Sequence, residues 1–243
     1  MIVLALETTT DRLGVAARRQ DGRTAGRPET AERLFEGARM HAARLFPLVD
    51  EVLQELGVSL GEVDALALAD GPGSFTGLRV GAAAAKALSR SVPNLAIWTA
   101  STLLIRAAGV QPPRGARVLV VTSALRGELY AASYRLELPN TVSTLLEPHL
   151  TTAEALHRES PDLLVADLPD KLVDRLADQF AAPPVRGPAA RPSALALAGL
   201  VGVSGGAVRI ARVDEWEPRY GRPAEAQARW EMAHGRALPD SNR

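Results

Sequence analysis

The chain has 243 residues, and its 28 basic side chains are balanced by 28 acidic ones, so its formal net charge is zero. A neutral chain carries no overall field that would draw it to nucleic acid or to an acidic membrane. It contains no cysteine, which excludes disulfides, thiolate nucleophiles and Cys-ligated zinc. The start, MIVLALE, lacks a basic region and reaches a charge at Glu7, too early for a secretory signal or a membrane span, so we expect a cytoplasmic protein.

The first half of the chain predicts an alternation of strands and helices. Residues 2–6 and 13–17 predict a hairpin, and the apolar spacing of three and four in residues 40–56 predicts an amphipathic helix that Gly57 would end. A strand at 63–69, a helix at 76–90, a strand at 95–98 and a helix at 100–109 follow. This order indicates a mostly parallel sheet with helices packed on its faces.

A second round of structure follows residues 110–116, VQPPRGA, which predict a linker because they contain two prolines and a glycine. We therefore divide the chain into a first lobe (1–109), this linker, a second lobe (117–213) and a C-terminal tail or helix (214–243). Within the second lobe the sequence predicts strands at 117–122, 129–136 and 163–166, helices at 151–159, 172–180 and 193–201, and a loop at 183–192. The two halves resemble each other coarsely.

A glycine turn joins the strand at 63–69 to the helix at 76–90, in the stretch ALADGPGSFTGLRVGAAAAKAL. Backbone N–H groups at such a turn suit an anion, which makes Gly71, Gly73 and Ser74 candidate phosphate contacts. The alternative is a sharp turn in which Ser74 caps the helix. A P-loop is excluded, because no Gly-Lys-Ser/Thr sequence occurs in the chain.

The helix after this turn is built of small residues. Gly77, Gly81, Ala84, Ala85 and Leu88 lie along one side at helical spacing, and Arg79, Lys86 and Arg90 form another stripe. Interior glycines cost roughly 1 kcal/mol each against alanine, so close packing must offset that cost. The packing partner is either the chain's own sheet or a helix of another protein.

Other patterns carry weaker signals. Glu7, Thr8, Thr9 and Thr10 end the first strand, where they form either a nucleotide and metal contact or a simple hairpin turn. Residues 202–206 read G-x-S-x-G, with Asp214 and His234 downstream, but they end a helix instead of joining a strand to one. The four histidines show no metal-ligand spacing. Four arginines near the carboxyl end are candidates for RNA phosphate contacts or for a solvated tail: Arg219, Arg222, Arg229 and Arg236.

The chain resembles the bacterial TsaB (YeaZ) family, above all in the motif GPGSFTGLR at residues 71–79. The resemblance also includes LALETTT before it and GELYAASY after it, is strong over residues 1–135, and returns faintly at EPRYGRPAEAQARW. It implies a two-lobed α/β fold of the actin, sugar-kinase and heat-shock-ATPase (ASKHA) class. It also implies a part in making threonylcarbamoyladenosine in tRNA.

In that family this subunit is not the catalyst but the partner of its paralogue TsaD, which binds metal and nucleotide, and the ATPase TsaE joins the pair. The resemblance implies that the helices at 40–56 and 76–90 contact TsaD, and the exposed face favours a homodimer of the isolated chain. The predicted interface residues are Arg44, Leu45, Leu48, Gly77, Arg79, Gly81, Ala84, Lys86 and Leu88. The possible nucleotide contacts are Glu7, Thr8, Gly71, Gly73 and Ser74. We expect no catalytic residue and no metal site in the chain alone. ATP or ADP and a divalent metal are possible in the complex. We expect the chain to contact tRNA only through the complex.

Two departures from the family pattern concern charge. The aspartate usual after the first strand is Glu7 here, and the usual Asp-Ala-Arg of the second lobe is Ser123-Ala124-Leu125. We therefore expect no ATP hydrolysis by the chain alone. A small-molecule kinase or ATPase of the same fold remains the alternative, and a peptidase a more remote one. If the assembly role holds, a bulky residue at Gly81 or Ala84 is expected to abolish complex formation and leave the fold intact.

Overall fold

The structure is a computed structural model that describes residues 1–20, 29–37, 40–124 and 127–220. These residues form two sheets. The strands of the first sheet are β1 (Ile2–Glu7), β2 (Arg12–Arg19), β3 (Thr30–Glu36), β4 (Ala65–Ala69), β5 (Ala96–Ala100) and β11 (Val208–Arg209). The strands of the second are β6 (Ala116–Ser123), β7 (Leu129–Glu137), β8 (Thr141–Thr151), β9 (Leu163–Asp167) and β10 (Pro184–Val185).

The two sheets repeat one topology. The first sheet has the order β11-β5-β4-β1-β2-β3 and the second the order β10-β9-β6-β7-β8. In each lobe three antiparallel strands come first, and two parallel strands then add to the side of the first one. Every residue of β1 is buried, because that strand lies between β2 and β4 in the middle of its sheet.

The helices fill three layers around these sheets. They are α1 (His41–Leu56), α2 (Phe75–Ser91), α3 (Thr102–Gly109), α4 (Asp170–Phe180) and α5 (Ala194–Gly199). Helices α1 and α2 cover one face of the first sheet, α3 and α5 pack between the two lobes, and α4 covers the far face of the second sheet. No helix among the described residues is long and apolar enough to cross a membrane.

Local chemistry explains where the first two helices begin and end. Helix α1 ends at Gly57, which adopts a left-handed φ of 70°. Helix α2 begins after Ser74, whose hydroxyl accepts a hydrogen bond from the Gly77 amide at 3.2 Å. Both helices were expected at these positions, and both are present.

The structure differs from the sequence prediction in several places. Strands β3, β8, β10 and β11 were not predicted. The predicted helix at 151–159 is wrong, because Thr151 ends β8 and only a short 3-10 turn, Glu154–Arg158, follows. The second-lobe assignment of 117–213 needs correction, because α5 packs on the first sheet and β11 pairs with β5.

Candidate functional site

The glycine turn packs closely on the end of the first strand. A side chain at Gly77 would collide with the Thr8 carbonyl oxygen, and one at Gly73 would lie 2.5 Å from the Thr9 Cβ. The Ser74 amide, a candidate phosphate donor, already donates to the Thr9 carbonyl at 2.7 Å. The glycines of this turn are therefore required by the close approach of Thr8 and Thr9, and the Ser74 amide is already used within the chain.

The small-residue face of α2 is also an internal contact. A Cβ at Gly81 would lie 2.9 Å from the Thr8 hydroxyl. Six of the nine predicted interface residues are buried within the chain: Leu45, Leu48, Gly77, Gly81, Ala84 and Leu88. The prediction that these six side chains form a partner surface is corrected, because they pack against the chain's own core. The expectation that a bulky residue at Gly81 leaves the fold intact is corrected for the same reason.

The three remaining predicted interface residues are basic and reach the surface. The Arg44 guanidinium stacks over the Phe35 ring at 4.9 Å, and that of Arg79 over the Phe75 ring at 4.4 Å. The Lys86 ammonium pairs with the Glu217 carboxylate at 2.8 Å. Residues near the end of the described chain thus engage one edge of α2.

The outward faces of α1 and α2, which pack side by side, carry small and apolar side chains. The exposed residues on these faces form what we call the α1–α2 surface: Ala42, Ala43, Phe46, Pro47, Thr76, Arg79, Ala83 and Ala87. The side chain of Phe46, on α1, is 44% exposed. Six of the nine residues predicted from the sequence lie on the inward sides of these two helices.

A second candidate region is the cleft between the lobes, a cavity of about 370 Å³. Its lining residues are Thr9, Thr10, Pro72, Gly73, Ser74, Arg106, Thr122, Ser123, Ala124, Tyr130 and Asp167. Arg106 of α3, only 5% exposed, donates to Asp167 at 2.9 Å and to the Ala190 carbonyl at 2.7 Å. The Arg106 cation is thus already paired with a carboxylate of the second lobe.

Sequence reasoning missed Arg106, Tyr130 and Asp167 as lining residues of this cleft. Arg106 had a usable signal, since it is the one charged residue in the apolar run TLLIRAAG. A lone arginine in such a run must find a buried partner.

The predicted nucleotide contacts separate in the structure. Gly73 and Ser74 line the cleft, and Gly71 lines a neighbouring cavity of about 280 Å³. Glu7 and Thr8 are buried away from both. Burial raises the pKa of the Glu7 carboxyl, although hydrogen bonds donated by the Thr9 hydroxyl and amide oppose the shift.

Asp70 occupies the buried end of β4, just before the glycine turn. Its carboxylate lies 3.8 Å from the Arg219 guanidinium, and its backbone carbonyl accepts from the Arg219 amide at 2.8 Å. Burial raises the pKa of Asp70 to about 6, with Arg219 opposing the shift. This carboxyl therefore keeps its proton to a higher pH than an ordinary aspartate does.

The remaining sequence candidates for hydrolytic or metal chemistry either have a defined place in the structure or lie outside the described residues. Ser204 of the G-x-S-x-G sequence forms an isolated bridge with Thr141, and its carbonyl accepts a hydrogen bond from the Val142 amide at 2.8 Å. Asp214 pairs with Arg90. His234, Arg222, Arg229 and Arg236 lie outside the described residues, as does Leu125. Within the described residues, no three His, Asp or Glu side chains group as metal ligands.

Comparison with known proteins gives three kinds of match. A sequence model of the TsaD family, described as tRNA N6-adenosine threonylcarbamoyltransferase, matches residues 35–181. The tRNA threonylcarbamoyladenosine biosynthesis protein TsaB of Escherichia coli (strain K12) is 38% identical over 139 residues, which are 56% of this chain and 55% of that protein. The protein of the same name from Bacillus subtilis (strain 168) is 27% identical over 238 residues, 95% of this chain and 98% of that one.

A solved structure from Pseudomonas aeruginosa, described as an uncharacterized protein with similarity to the peptidase YeaZ, superposes with a TM-score of 0.69. Its sequence identity is 26%, and the match covers 91% of this chain and 99% of that chain. By contrast, the chain spans only about half the length of the Escherichia coli relative.

Two lobes of one topology with a cleft between them define a protein of the ASKHA class, as expected from the sequence. The TsaD family model matches more than half of the chain. The chain belongs to this family, and within it to the TsaB (YeaZ) type.

Proposed function

We propose that the chain is a non-catalytic assembly subunit of the complex that makes N6-threonylcarbamoyladenosine in tRNA. Its partner is a catalytic TsaD-type subunit, which docks on the α1–α2 surface. The names of the Escherichia coli and Bacillus subtilis relatives support the process. A TsaE-type ATPase, contact with tRNA through the complex, and a cytoplasmic location belong to the same proposal.

The observation that carries the proposal is the composition of the α1–α2 surface. Phe46 exposes 44% of its area between alanines and a proline, whose short side chains let another helix approach closely. Arg79 lies at the edge of this apolar patch, where a charge fixes the orientation of a partner more than it adds affinity. A helical pair from a related subunit fits such a surface.

The contacts that the polar groups of the interlobe cleft already make support a role without autonomous ATP hydrolysis. Phosphoryl transfer needs a preorganised set of donors and a metal-binding carboxylate at the phosphates. Here Arg106 is neutralised by Asp167, the Ser74 amide is used by Thr9, and Ser123 stands where the family has an aspartate. ATP or ADP with a divalent metal would then be held by the complex, not by this chain alone.

The experiment is light scattering on a sizing column, with the chain alone and then mixed with the TsaD-type protein of the same organism. We expect a stable new species at the summed mass. The same run of the isolated chain tests the homodimer, which is expected to dissociate when the partner is added because both use the α1–α2 surface. Separate elution of the two proteins, with and without nucleotide, would contradict the assembly role.

A further inference from the structure

A cavity of about 380 Å³ lies on the face of the first sheet opposite to α1 and α2, where α3 and α5 meet β2, β3 and the β7–β8 turn. It is separate from the interlobe cleft and from the α1–α2 surface, and the function proposed above does not use it. Its volume lies at the lower end of the range of small-molecule sites. Both lobes contribute to its wall, because the β7–β8 turn belongs to the second sheet.

Arg18 brings an unneutralised cation to this cavity. Its side chain lies on the α5 side of β2, with the guanidinium against Gly199. The other three arginines of β2 and β3 each use the guanidinium in a hydrogen bond or an ion pair: Arg12, Arg19 and Arg33. Arg18 has neither with any described residue, and its nitrogen atoms remain accessible to solvent. A half-buried guanidinium in this state attracts an anion.

Gln111 provides a second, independent indication of a ligand. It follows the end of α3 and lines the cavity with a left-handed φ of 47°. Glycine is the usual residue at such a position, and a larger residue is strained there. The Gln111 carboxamide makes no hydrogen bond with a described residue that would offset this strain. Strain of this kind is concentrated at binding and active sites.

The rest of the wall is largely apolar. Leu138 and Pro139 line it from the second lobe, and Leu195 and Ala196 line it from α5. Small-molecule sites commonly combine such a wall with a few polar groups that fix the orientation of the ligand. The cavity therefore matches a ligand that has one charged end and a hydrocarbon part.

The charges around the cavity favour a carboxylate over a phosphate group. Glu32 of β3 adds a negative charge nearby, although its Oε1 atom already accepts hydrogen bonds from the Ser193 hydroxyl and the Leu195 amide. A carboxylate carries the single charge that Arg18 balances, and its two oxygen atoms match the guanidinium fork. A phosphate monoester carries up to two charges at neutral pH and would be repelled more strongly by Glu32.

We propose that this cavity binds a small aliphatic carboxylate, whose charged group pairs with Arg18 and whose hydrocarbon part lies against Leu138, Pro139 and Leu195. The Gln111 carboxamide donates a further hydrogen bond to the carboxylate. A bound ligand would connect the β7–β8 turn of the second lobe to the first sheet.

Nuclear magnetic resonance of the full chain tests this site, with butyrate as the probe and its uncharged amide, butyramide, as the control at constant ionic strength. We expect saturable shifts of the Arg18 Nε–H signal and of the Gly109 and Ala196 amides with butyrate and none with butyramide. Acetate lacks two methylene groups and should bind roughly fifteenfold more weakly, since each buried methylene group is worth about fourfold. Inorganic phosphate should also bind more weakly than butyrate.

Three variants separate ligand binding from a change in folding. Arg18→Gln keeps a polar side chain and should abolish the shifts, whereas Arg135→Gln, at an exposed position of β7, should leave them unchanged. Ala196→Leu fills the cavity without altering a polar group and should also abolish them. Absence of saturable shifts at hundreds of millimolar butyrate, an equal response to butyramide, tighter binding of phosphate, or unchanged butyrate binding by folded Arg18→Gln would overturn the proposal.

Gln111→Gly distinguishes a binding role of this residue from a structural one. The change relieves the left-handed φ, so the midpoint of thermal unfolding should rise. Butyrate binding should nevertheless weaken several-fold, because a hydrogen-bond donor is lost. A gain in stability with unchanged binding would contradict the role given to Gln111.

Discussion

Both faces of helix α2 contain small residues, but these residues meet different neighbours. On the inward face Gly77 and Gly81 touch Thr8, so the lack of a side chain is required by the chain's own fold. On the outward face Ala83 and Ala87 are exposed, so no neighbour among the described residues encloses them. A small residue in a helix therefore has two meanings, and only the contacts of each face distinguish them.

The largest expected effect is on the inward face, in Gly77→Ala. Helix propensity alone predicts a gain of about 1 kcal/mol, but the new methyl group collides with the Thr8 carbonyl. We expect a loss of about 3 kcal/mol or more in the free energy of unfolding, because backbone must move. Urea denaturation measures it, with exposed Ala83→Gly, expected to cost only about 1 kcal/mol, as the control. A more stable Gly77→Ala protein would contradict the packing described.

The buried residue Asp70, just before the glycine turn that leads into α2, is expected to make the stability of the protein depend on pH. Because burial raises the pKa of Asp70 to about 6 from an ordinary 3.8, the folded protein binds this proton more tightly than the unfolded chain. The contribution of Asp70 to the free energy of unfolding is therefore greatest below pH 3.8. It falls by roughly 3 kcal/mol as the pH rises from 3.8 to about 6. The difference in unfolding free energy between wild type and Asp70→Asn, measured by denaturation at several pH values, should follow this fall. A difference independent of pH would contradict the assignment.

Gly81→Ala should destabilise the protein less than Gly77→Ala does, because Gly81 faces the side chain of Thr8 whereas Gly77 faces its backbone carbonyl. The added methyl group meets the Thr8 hydroxyl, so we expect a loss of about 1–2 kcal/mol. Thr8→Ala should remove the penalty of Gly81→Ala but not that of Gly77→Ala. Unfolding of the single and double variants forms the cycle that tests this, and equal rescue of both would show that Thr8 contacts the two glycines in the same way.

The smallest effect is expected at the start of α2. Ser74→Ala removes the acceptor of the Gly77 amide and should cost about 1 kcal/mol in thermal or urea unfolding. Ser91→Ala at the other end of the helix, where the hydroxyl only donates to the Ala87 carbonyl, should be near neutral. Equal effects of the two changes would argue against the cap.

Much of the first lobe could be predicted because its elements have strong local signals. Gly57 marks the end of α1, Ser74 marks the start of α2, and the buried strands are continuous apolar runs. Strand β8 was missed because Pro148 argues against a strand, although an edge strand tolerates proline. Strand β3 was missed because it is also an edge strand, with few apolar residues and no β-branched run.

The candidate surface could be predicted only in part. Helical spacing shows which residues of α2 share a face, but not whether the neighbour of that face is Thr8 or another protein. Ion pairs between residues far apart in the chain, such as Arg106–Asp167 and Lys86–Glu217, have no local signal. These contacts depend on the topology of both lobes.

The most direct test of the account is the affinity of Phe46→Glu for the TsaD-type subunit, measured by calorimetry beside Leu145→Glu. Leu145 lies on β8 of the second lobe and is 46% exposed, which matches the 44% of Phe46, so both proteins should remain folded. We expect Phe46→Glu to weaken binding by 2 kcal/mol or more, roughly thirtyfold, as at a central interface residue, and Leu145→Glu to bind as wild type does. Unchanged binding by Phe46→Glu, with circular dichroism showing a native fold, would contradict the assignment of the α1–α2 surface as the docking site.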